Sequence, residues 1–155
     1  MPETLERVLH GHEFFAGMDP DYLALIVGCA RNVVFGDGAF LFREGDPAET
    51  FYLVLQGAVA LEISAPGRVA TVQTLGAGEL VGFSWLMGPH RWHFDGRAVG
   101  RVHAIEMDGT CLRAKCDADP RLGFDLMQRF ALLASRRLQA TRLQVLDVYG
   151  HAHTG

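Results

Sequence analysis

The residues best suited to bind a ligand are concentrated in one short stretch, 82–94. Both tryptophans of the chain, Trp85 and Trp92, lie in it, together with Arg91 and His93. Aromatic rings give a pocket flat apolar walls, and a guanidinium or imidazolium group attracts an anion. The stretch therefore predicts a pocket for a small anionic or flat aromatic ligand, although the same rings could instead fill a solid core. The candidate ligand-binding residues are Gly82, Phe83, Ser84, Trp85, Arg91, Trp92 and His93.

Patterns of metal ligands and of catalytic residues give weaker signals. His90 and His93 have a spacing that can hold a metal, but no third ligand is evident beside them. His151 and His153 lie in a polar tail, where adventitious metal binding is the most plausible activity. No Ser-His-Asp set and no paired carboxylates stand out. The sequence thus predicts no catalytic residue and no dedicated metal ligand, and we expect a protein that is not an enzyme.

The three cysteines predict reduced, inert thiols. Their number is odd, and Cys111 and Cys116 are five residues apart, which is not the spacing of a CxxC redox motif. The first residues are polar and acidic, unlike a signal peptide, and no apolar run approaches the roughly 20 residues that cross a membrane. These features favour a cytoplasmic protein.

Size and charge favour one domain that does not bind nucleic acid directly. A chain of 155 residues can bury a substantial core without metals or disulfides. Its formal net charge is −4, and it contains no tract of Lys and Arg. Because affinity for a duplex depends on clustered cations, direct DNA binding is not expected.

Short strands must position the candidate residues. Between Leu41 and Leu61 the pattern reads as a strand, a Gly45-Asp46-Pro47 turn, an apolar strand buried on both faces at 51–55, a corner at Gly57 and a further strand. Glycine punctuation of this kind indicates an antiparallel sandwich or jelly roll. Strands are predicted at 31–35, 39–43, 50–56, 58–64, 68–74, 92–99 and 101–107, with one helical turn at 83–87.

Helices are predicted before and after the strands. Asp19 and Pro20 begin a short helix that runs to about Ala30. Asp119 and Pro120 begin a long one, about 45 Å from end to end, that carries apolar residues at helical spacing and stops at Gly150 after Tyr149. A small sheet cannot cover a helix of this length, so part of the apolar stripe needs another partner, although the helix could instead pack only on its own sheet.

The order of these elements, with the corner LGAGELVG at 75–82, resembles the cyclic nucleotide-binding domain family, the β-roll of the catabolite activator protein and of kinase regulatory subunits. The resemblance implies a single domain over 1–155, mainly β with flanking α. Its parts are an antiparallel β-roll over about 31–107, short N-terminal helices and a C-terminal dimerisation helix over about 119–149.

The resemblance also shows where this chain departs from the family's ligand site. The family holds the cyclic phosphate and the ribose with a Glu in a G-E-[LIV]-A-L segment and an Arg in a later R-[ST]-A segment. Phe83 stands at the position of the Glu, Trp92 at that of the Arg and His93 at that of the Ser or Thr. Phe cannot accept a sugar hydroxyl, and Trp carries no charge. A one-residue bulge would bring Arg91 into the pocket instead.

The function implied is a regulatory module of the kind that bacteria use for signal transduction, with altered or lost cyclic nucleotide specificity. It would act on an unknown partner protein as a homodimer. The chain leaves no room for the helix-turn-helix domain of the family's transcription factors, so no direct DNA binding and no membrane partner are expected. Two alternatives remain: a scaffold protein without a ligand, and a sensor that holds haem or a metal.

Overall fold

The structure, a computed structural model, describes the backbone of residues 5–86 and 88–154 and the side chains of residues 5–86 and 88–140. The helices are α1 (Leu5–His10), a 3-10 helix (Glu13–Phe15), α2 (Pro20–Val27), α3 (Gly109–Ala118) and α4 (Pro120–Thr154). The strands are β1 (Ala30–Phe35), β2 (Phe40–Phe42), β3 (Thr50–Ala65), β4 (Arg68–Leu75), β5 (Leu80–Val81) and β6 (Asp95–Asp108). No helix within the described residues is both long and apolar enough to span a membrane.

All strand pairs are antiparallel, which confirms the predicted β-roll. The sheet has the order β1–β6–β3–β4, with β2 paired to β6 and β5 paired to β3. Every other strand thus pairs with β3 or β6, so these two long strands form the frame on which the other elements are placed.

The strands β3 and β6 are each continuous, which corrects the prediction of separate strands at 50–56 and 58–64, and at 92–99 and 101–107. The chain does not turn at Gly57. Instead, the register between β3 and β6 shifts on both sides of Gln56, and the two strands continue through the bulge. Gly57 has a φ of +86°, and a Cβ there would lie 2.3 Å from the carbonyl oxygen of Arg101. Glycine is therefore needed for the bend. Residues 92–94 lie outside the strand, which begins at Asp95.

The helical predictions need three corrections. Residues 84–86 form a turn that the Leu86 amide closes by donating to the Phe83 carbonyl at 3.1 Å, while Met87 lies outside the described residues. Helix α3, capped by the Asp108 carboxylate at the Cys111 amide, was not predicted, because few of its residues are buried. Helix α4 continues past Gly150 to Thr154. Positions 141, 145 and 149, which continue the helical spacing, and the histidines 151 and 153 have side chains outside the described residues.

Two separate cores lie on opposite faces of β3. The residues Phe51 and Leu53 join a core between the sheet and the helices, and Tyr52 and Val54 join a second core inside the roll. This arrangement confirms that the run at 51–55 is buried on both faces. Trp85 belongs to the helix-side core and Trp92 to the roll-side core. The two tryptophans therefore do not share a pocket.

The cysteine prediction was wrong for two of the three thiols. Cys29 and Cys111 are joined by a disulfide, with Cα atoms 5.8 Å apart and a sequence separation of 82. The antiparallel pairing of β1 with β6 brings the end of α2 beside the start of α3, and the Asp108 amide donates to the Cys29 carbonyl at 2.8 Å. Sequence spacing carries no sign of this contact. Cys116 is a free, half-buried thiol.

Candidate functional site

Trp92 occupies the interior of the β-roll, where the resemblance implies the ligand's phosphate contact. Its indole is buried and stacks on the ring of Phe42, with centroids 3.7 Å apart and planes at 20°. Gly82 makes room for it, since a Cβ on Gly82 would lie 2.7 Å from the Trp92 Cη2 atom. Stacked rings in close contact with backbone leave no open space between them, so this part of the roll is packed as a core.

Arg91 and His93 point away from that interior. Residues 91–93 run antiparallel to the Gly45–Pro47 turn: the Trp92 amide donates to the Asp46 carbonyl at 3.0 Å, and the Gly45 amide donates to the Trp92 carbonyl at 2.9 Å. The Arg91 guanidinium is exposed and donates to the Gly45 carbonyl at 2.7 Å. Extended backbone alternates its side chains, so a buried Trp92 places both neighbours at the surface. The bulge that would bring Arg91 inward is not present.

Trp85 packs on the other side of β3. Its indole is fully buried, stacks on Phe51 with centroids 4.8 Å apart and meets the edge of Phe130 on α4 at 5.6 Å. The indole Nε1 is a buried donor for which the described residues offer no acceptor. The Trp85 carbonyl accepts hydrogen bonds from His90 Nδ1 at 3.0 Å and from the Arg113 guanidinium. These contacts fix the turn at 84–86 against α3, with Ser84 half-buried in it.

Phe83, at the position of the family's Glu, lies beside an arginine of α4. The Arg137 guanidinium on α4 lies 5.1 Å from the centroid of the Phe83 ring, and it also donates to the Leu80 carbonyl. Burial lowers the pKa of Arg137 from its usual value, while Glu79 opposes the shift. An aromatic face attracts a desolvated cation, so Phe83 holds α4 against the roll through Arg137.

A charged cluster that the sequence analysis missed lies on the outer face of the roll. Glu62 and Asp95 are direct partners across β3 and β6, and both are buried although they are acidic. Arg97 donates to both Glu62 carboxylate oxygens, at 2.8 and 2.9 Å, which lowers the pKa of Glu62. Asp95 accepts from the Glu44 amide at 2.7 Å and lies 3.6 Å from Arg43. Only the strand register, which the sequence does not give, could have shown that these acids are neighbours.

A groove of about 550 Å³ lies outside both cores, between the 3-10 helix, the β4–β5 turn and α4. Its floor is apolar and includes Leu80 and Leu133, and its rim carries Arg136, Arg137 and Glu79. His12 closes one end, since its Nε2 lies 2.6 Å from the Gly78 carbonyl oxygen. None of these residues is among the candidate ligand-binding residues predicted from the sequence. Within the described part of the chain, no three His, Cys, Asp or Glu residues are grouped so as to hold a metal.

Comparisons with known proteins identify the family and the fold of the chain. Residues 32–119 match the family described as the cyclic nucleotide-binding domain. The CRP-like cAMP-activated global transcriptional regulator of Mycobacterium tuberculosis is 25% identical over 145 residues, which are 93% of this chain and 63% of that protein. The chain thus spans less than two thirds of the length of this relative.

Two solved structures carry the same arrangement. The first is a Geobacter metallireducens protein, provisionally described as a cyclic nucleotide-binding protein, with a TM-score of 0.78 and 28% identity over 89% of this chain and 99% of that one. The second is the catabolite activator protein of Thermus thermophilus, with a TM-score of 0.67 and 25% identity over 85% of this chain and 61% of that one. The β-roll, the long C-terminal helix and the matched residues lead to one conclusion. The chain belongs to the cyclic nucleotide-binding domain family.

Proposed function

We propose that this protein is a regulatory module that keeps the cyclic nucleotide-binding fold but has changed or lost its specificity for cyclic nucleotides. It acts on a partner protein as a homodimer. Domains of this family are typically regulatory rather than catalytic. One observation carries the proposal: Trp92, at the position of the family's phosphate-binding Arg, is stacked on Phe42 inside the roll.

A cyclic phosphate would lack a charged partner at Trp92. Removing one partner of a buried charge pair costs about 2–5 kcal/mol. At about 1.4 kcal/mol per tenfold change, affinity falls by about 30-fold to several thousand-fold. The ribose loses its hydrogen-bond acceptor as well, because Phe83 stands at the position of the Glu and has no oxygen atom to accept from a hydroxyl. The Phe83 ring contacts Arg137 instead. Neither loss is compensated by Arg91, which is at the surface and bonded to the Gly45 carbonyl.

The long helix supports the homodimer. Phe124, Met127 and Leu138 lie on one side of α4 at helical spacing, and their side chains are 66%, 50% and 57% exposed. The opposite side of the helix buries Leu122, Leu126 and Phe130 against the sheet. A helix that is apolar on both sides needs a second partner for the outer one. A second copy of this helix matches such a surface, since the two outer sides would bury each other.

Isothermal titration calorimetry with cyclic AMP and cyclic GMP tests the ligand part. We expect no binding of micromolar or better affinity to the wild type. The variants Arg91→Ala and His93→Ala serve as controls. Tight binding that disappears in Arg91→Ala would show that Arg91 turns inward in solution. Tight binding that survives both substitutions would overturn the argument from Trp92.

A scaffold protein without any ligand is the second candidate, and the stacking of Trp92 on Phe42 favours it directly. Thermal shift against nucleotides and metabolites separates it from a sensor, because a ligand that binds the folded state raises the melting temperature. Mass spectrometry of small molecules that co-purify with the protein adds a second readout. A coloured protein with a Soret band would instead indicate the haem sensor.

A further inference from the structure

The disulfide between Cys29 and Cys111 lies at a structural junction rather than at the edge of the fold. Cys29 follows α2 and directly precedes β1, and Cys111 is in the first turn of α3. Helix α3 in turn packs on α4: a Cβ on Gly123 would lie 3.2 Å from the Cys116 Cβ atom, and Leu112 and Leu122 are fully buried in the same core. The bond therefore joins the N-terminal part of the fold to α3. Because α3 packs on α4, the bond is also connected to the proposed dimerisation helix.

The disulfide lies beside an open cleft. Both cysteines line an open cleft of about 480 Å³, together with Arg31, Glu49, Glu106 and Asp108. The Cys29 residue is 7% exposed, and Cys111 is half-buried. Thiol–disulfide exchange needs a thiolate to approach one sulfur, so access through a cleft is the first requirement for reaction.

Cys111 lies at a helix end that favours negative charge. It is in the first turn of α3, a helix of ten residues, where the helix dipole stabilises a thiolate, while the Cys111 amide itself donates to the Asp108 carboxylate at 3.0 Å. The third cysteine differs, since burial, followed by the charges of Asp117 and Asp119, raises the pKa of the Cys116 thiol. Cys116 is thus not suited to act as the nucleophile.

We propose that Cys29 and Cys111 form a reversible thiol-exchange site, opened by a dithiol reductant and closed by a disulfide oxidant, whose state controls how firmly α3 is held. A thiolate of the reductant attacks the Cys29 sulfur, the S–S bond breaks and Cys111 leaves as a thiolate. The second thiol of the reductant then resolves the mixed disulfide. In total the cystine gains two electrons and two protons, and the reductant becomes a disulfide.

The charges of the cleft indicate which thiol reacts best. Glu106 is paired with Arg31 at 2.8 Å, whereas Asp108 caps the Cys111 amide with its carboxylate and Glu49 adds a further negative charge at the rim. The cleft is therefore negative overall and repels an anionic thiol. A neutral or cationic dithiol is the matching class of reductant, and anionic glutathione reacts more slowly.

Other contacts hold α3 when the disulfide is open. The Lys115 ammonium donates to the Leu25 carbonyl at 2.6 Å, which joins α3 to α2 a second time. The backbone bond from the Asp108 amide to the Cys29 carbonyl also remains. Reduction therefore loosens α3 without unfolding the domain, as a switch requires.

Alkylation of the native protein followed by intact-mass measurement tests the exchange. The oxidised wild type should take up one alkyl group, at Cys116. After dithiothreitol it should take up three, and oxidised dithiothreitol or cystamine should return the count to one. The control Cys116→Ser should change from none to two. A disulfide that opens only in denaturant, or thiols that stay free after oxidant, would overturn the proposal.

Two further measurements test which thiols reduce the disulfide fastest and whether its reduction loosens α3. At matched thiolate concentration, cysteamine should reduce the protein faster than mercaptoethanesulfonate, and about 0.5 M salt should narrow the difference. Equal rates would contradict the charge argument.

Hydrogen exchange across 109–118 should be faster than in the oxidised wild type both in the reduced wild type and in the double variant Cys29→Ser, Cys111→Ser, but not in Cys116→Ser. Unchanged exchange would show that the disulfide does not control α3.

Discussion

Trp92 and Phe42 lie face to face inside the β-roll, with ring centroids 3.7 Å apart. Trp92 comes from the segment before β6 and Phe42 from β2, so the stack joins two parts of the chain that the sequence separates by fifty residues. Where the family's resemblance implies a charge for an anionic ligand, this protein has an aromatic pair. Trp92 is therefore a core residue of this protein and, under the proposed function, also the residue that removes the phosphate contact.

Replacing Trp92 by Ala should destabilise the fold by about 3–5 kcal/mol, because it removes a buried aromatic side chain and leaves a cavity against Phe42. Urea denaturation measures the change. The adjacent substitution His93→Ala is the matched control, and since His93 is exposed it should stay within about 0.5 kcal/mol of the wild type. Equal effects of the two substitutions would show that residue 92 is not in the core.

Phe130 and Phe124, both on α4, should respond in opposite ways. Phe130 is buried and meets the rings of Phe14, Phe51, Phe83 and Trp85 edge to face, so Phe130→Ala should cost about 3–5 kcal/mol of folding stability. Phe124→Ala should leave the stability of the monomer nearly unchanged, because the side chain is 66% exposed. Thermal denaturation at low protein concentration compares them. A large loss from Phe124→Ala would place that ring in the fold of a single chain.

In the proposed homodimer, the exposed side of α4 forms the interface. Sedimentation at micromolar concentration should give about twice the chain mass of 17.0 kDa. The double variant Leu138→Glu, Val145→Glu should sediment as a monomer, because charges are costly to bury unpaired. Position 145 continues the helix seven residues beyond Leu138, and its side chain lies outside the described residues.

The matched control for the dimer is Gln139→Glu, which adds one charge at an exposed position about a quarter turn away from Leu138. It should remain dimeric. A wild type that is monomeric at all concentrations would remove the dimer hypothesis, whatever the variants do.

The ion pair of Glu62 and Arg97 should make the free energy of unfolding depend on pH in the acidic range. The hydrogen bonds from Arg97 lower the pKa of Glu62, so the pair contributes stability above the unfolded pKa of about 4.3 and loses it as the pH falls through the folded value. Arg97→Met should lower the urea midpoint near neutral pH. The difference from the wild type should shrink at acidic pH, where Glu62 is protonated in both proteins.

The control for this pair is Arg31→Met, which removes a salt bridge to Glu106 in which the arginine side chain is 73% exposed. Exposed pairs contribute little, so its effect should be smaller at every pH. A difference between Arg97→Met and the wild type that persists unchanged into acid would mean that Arg97 stabilises the fold by packing rather than by charge.

Local signals in the sequence determined much of this protein. Asp19 and Pro20 predict the start of α2, and the Asp19 carboxylate does accept from the Asp21 amide at 2.8 Å. Asp119 and Pro120 likewise begin α4. The apolar run at 51–55 predicted a strand buried on both faces. Such signals depend on backbone preferences and side-chain periodicity over a few neighbouring residues, which any reader of the sequence can see.

The tertiary structure alone decided how distant residues meet. Alternation shows that Trp92 lies on the face opposite to Arg91 and His93, but only the pairing with the Gly45–Pro47 turn shows which face is inside. The strand register placed Glu62 opposite Asp95 and brought Cys29 to Cys111. The bulge at Gly57 made one strand of two predicted ones. Each depends on contacts between segments far apart in the chain, and these are set by the packing of the whole domain rather than by any local pattern.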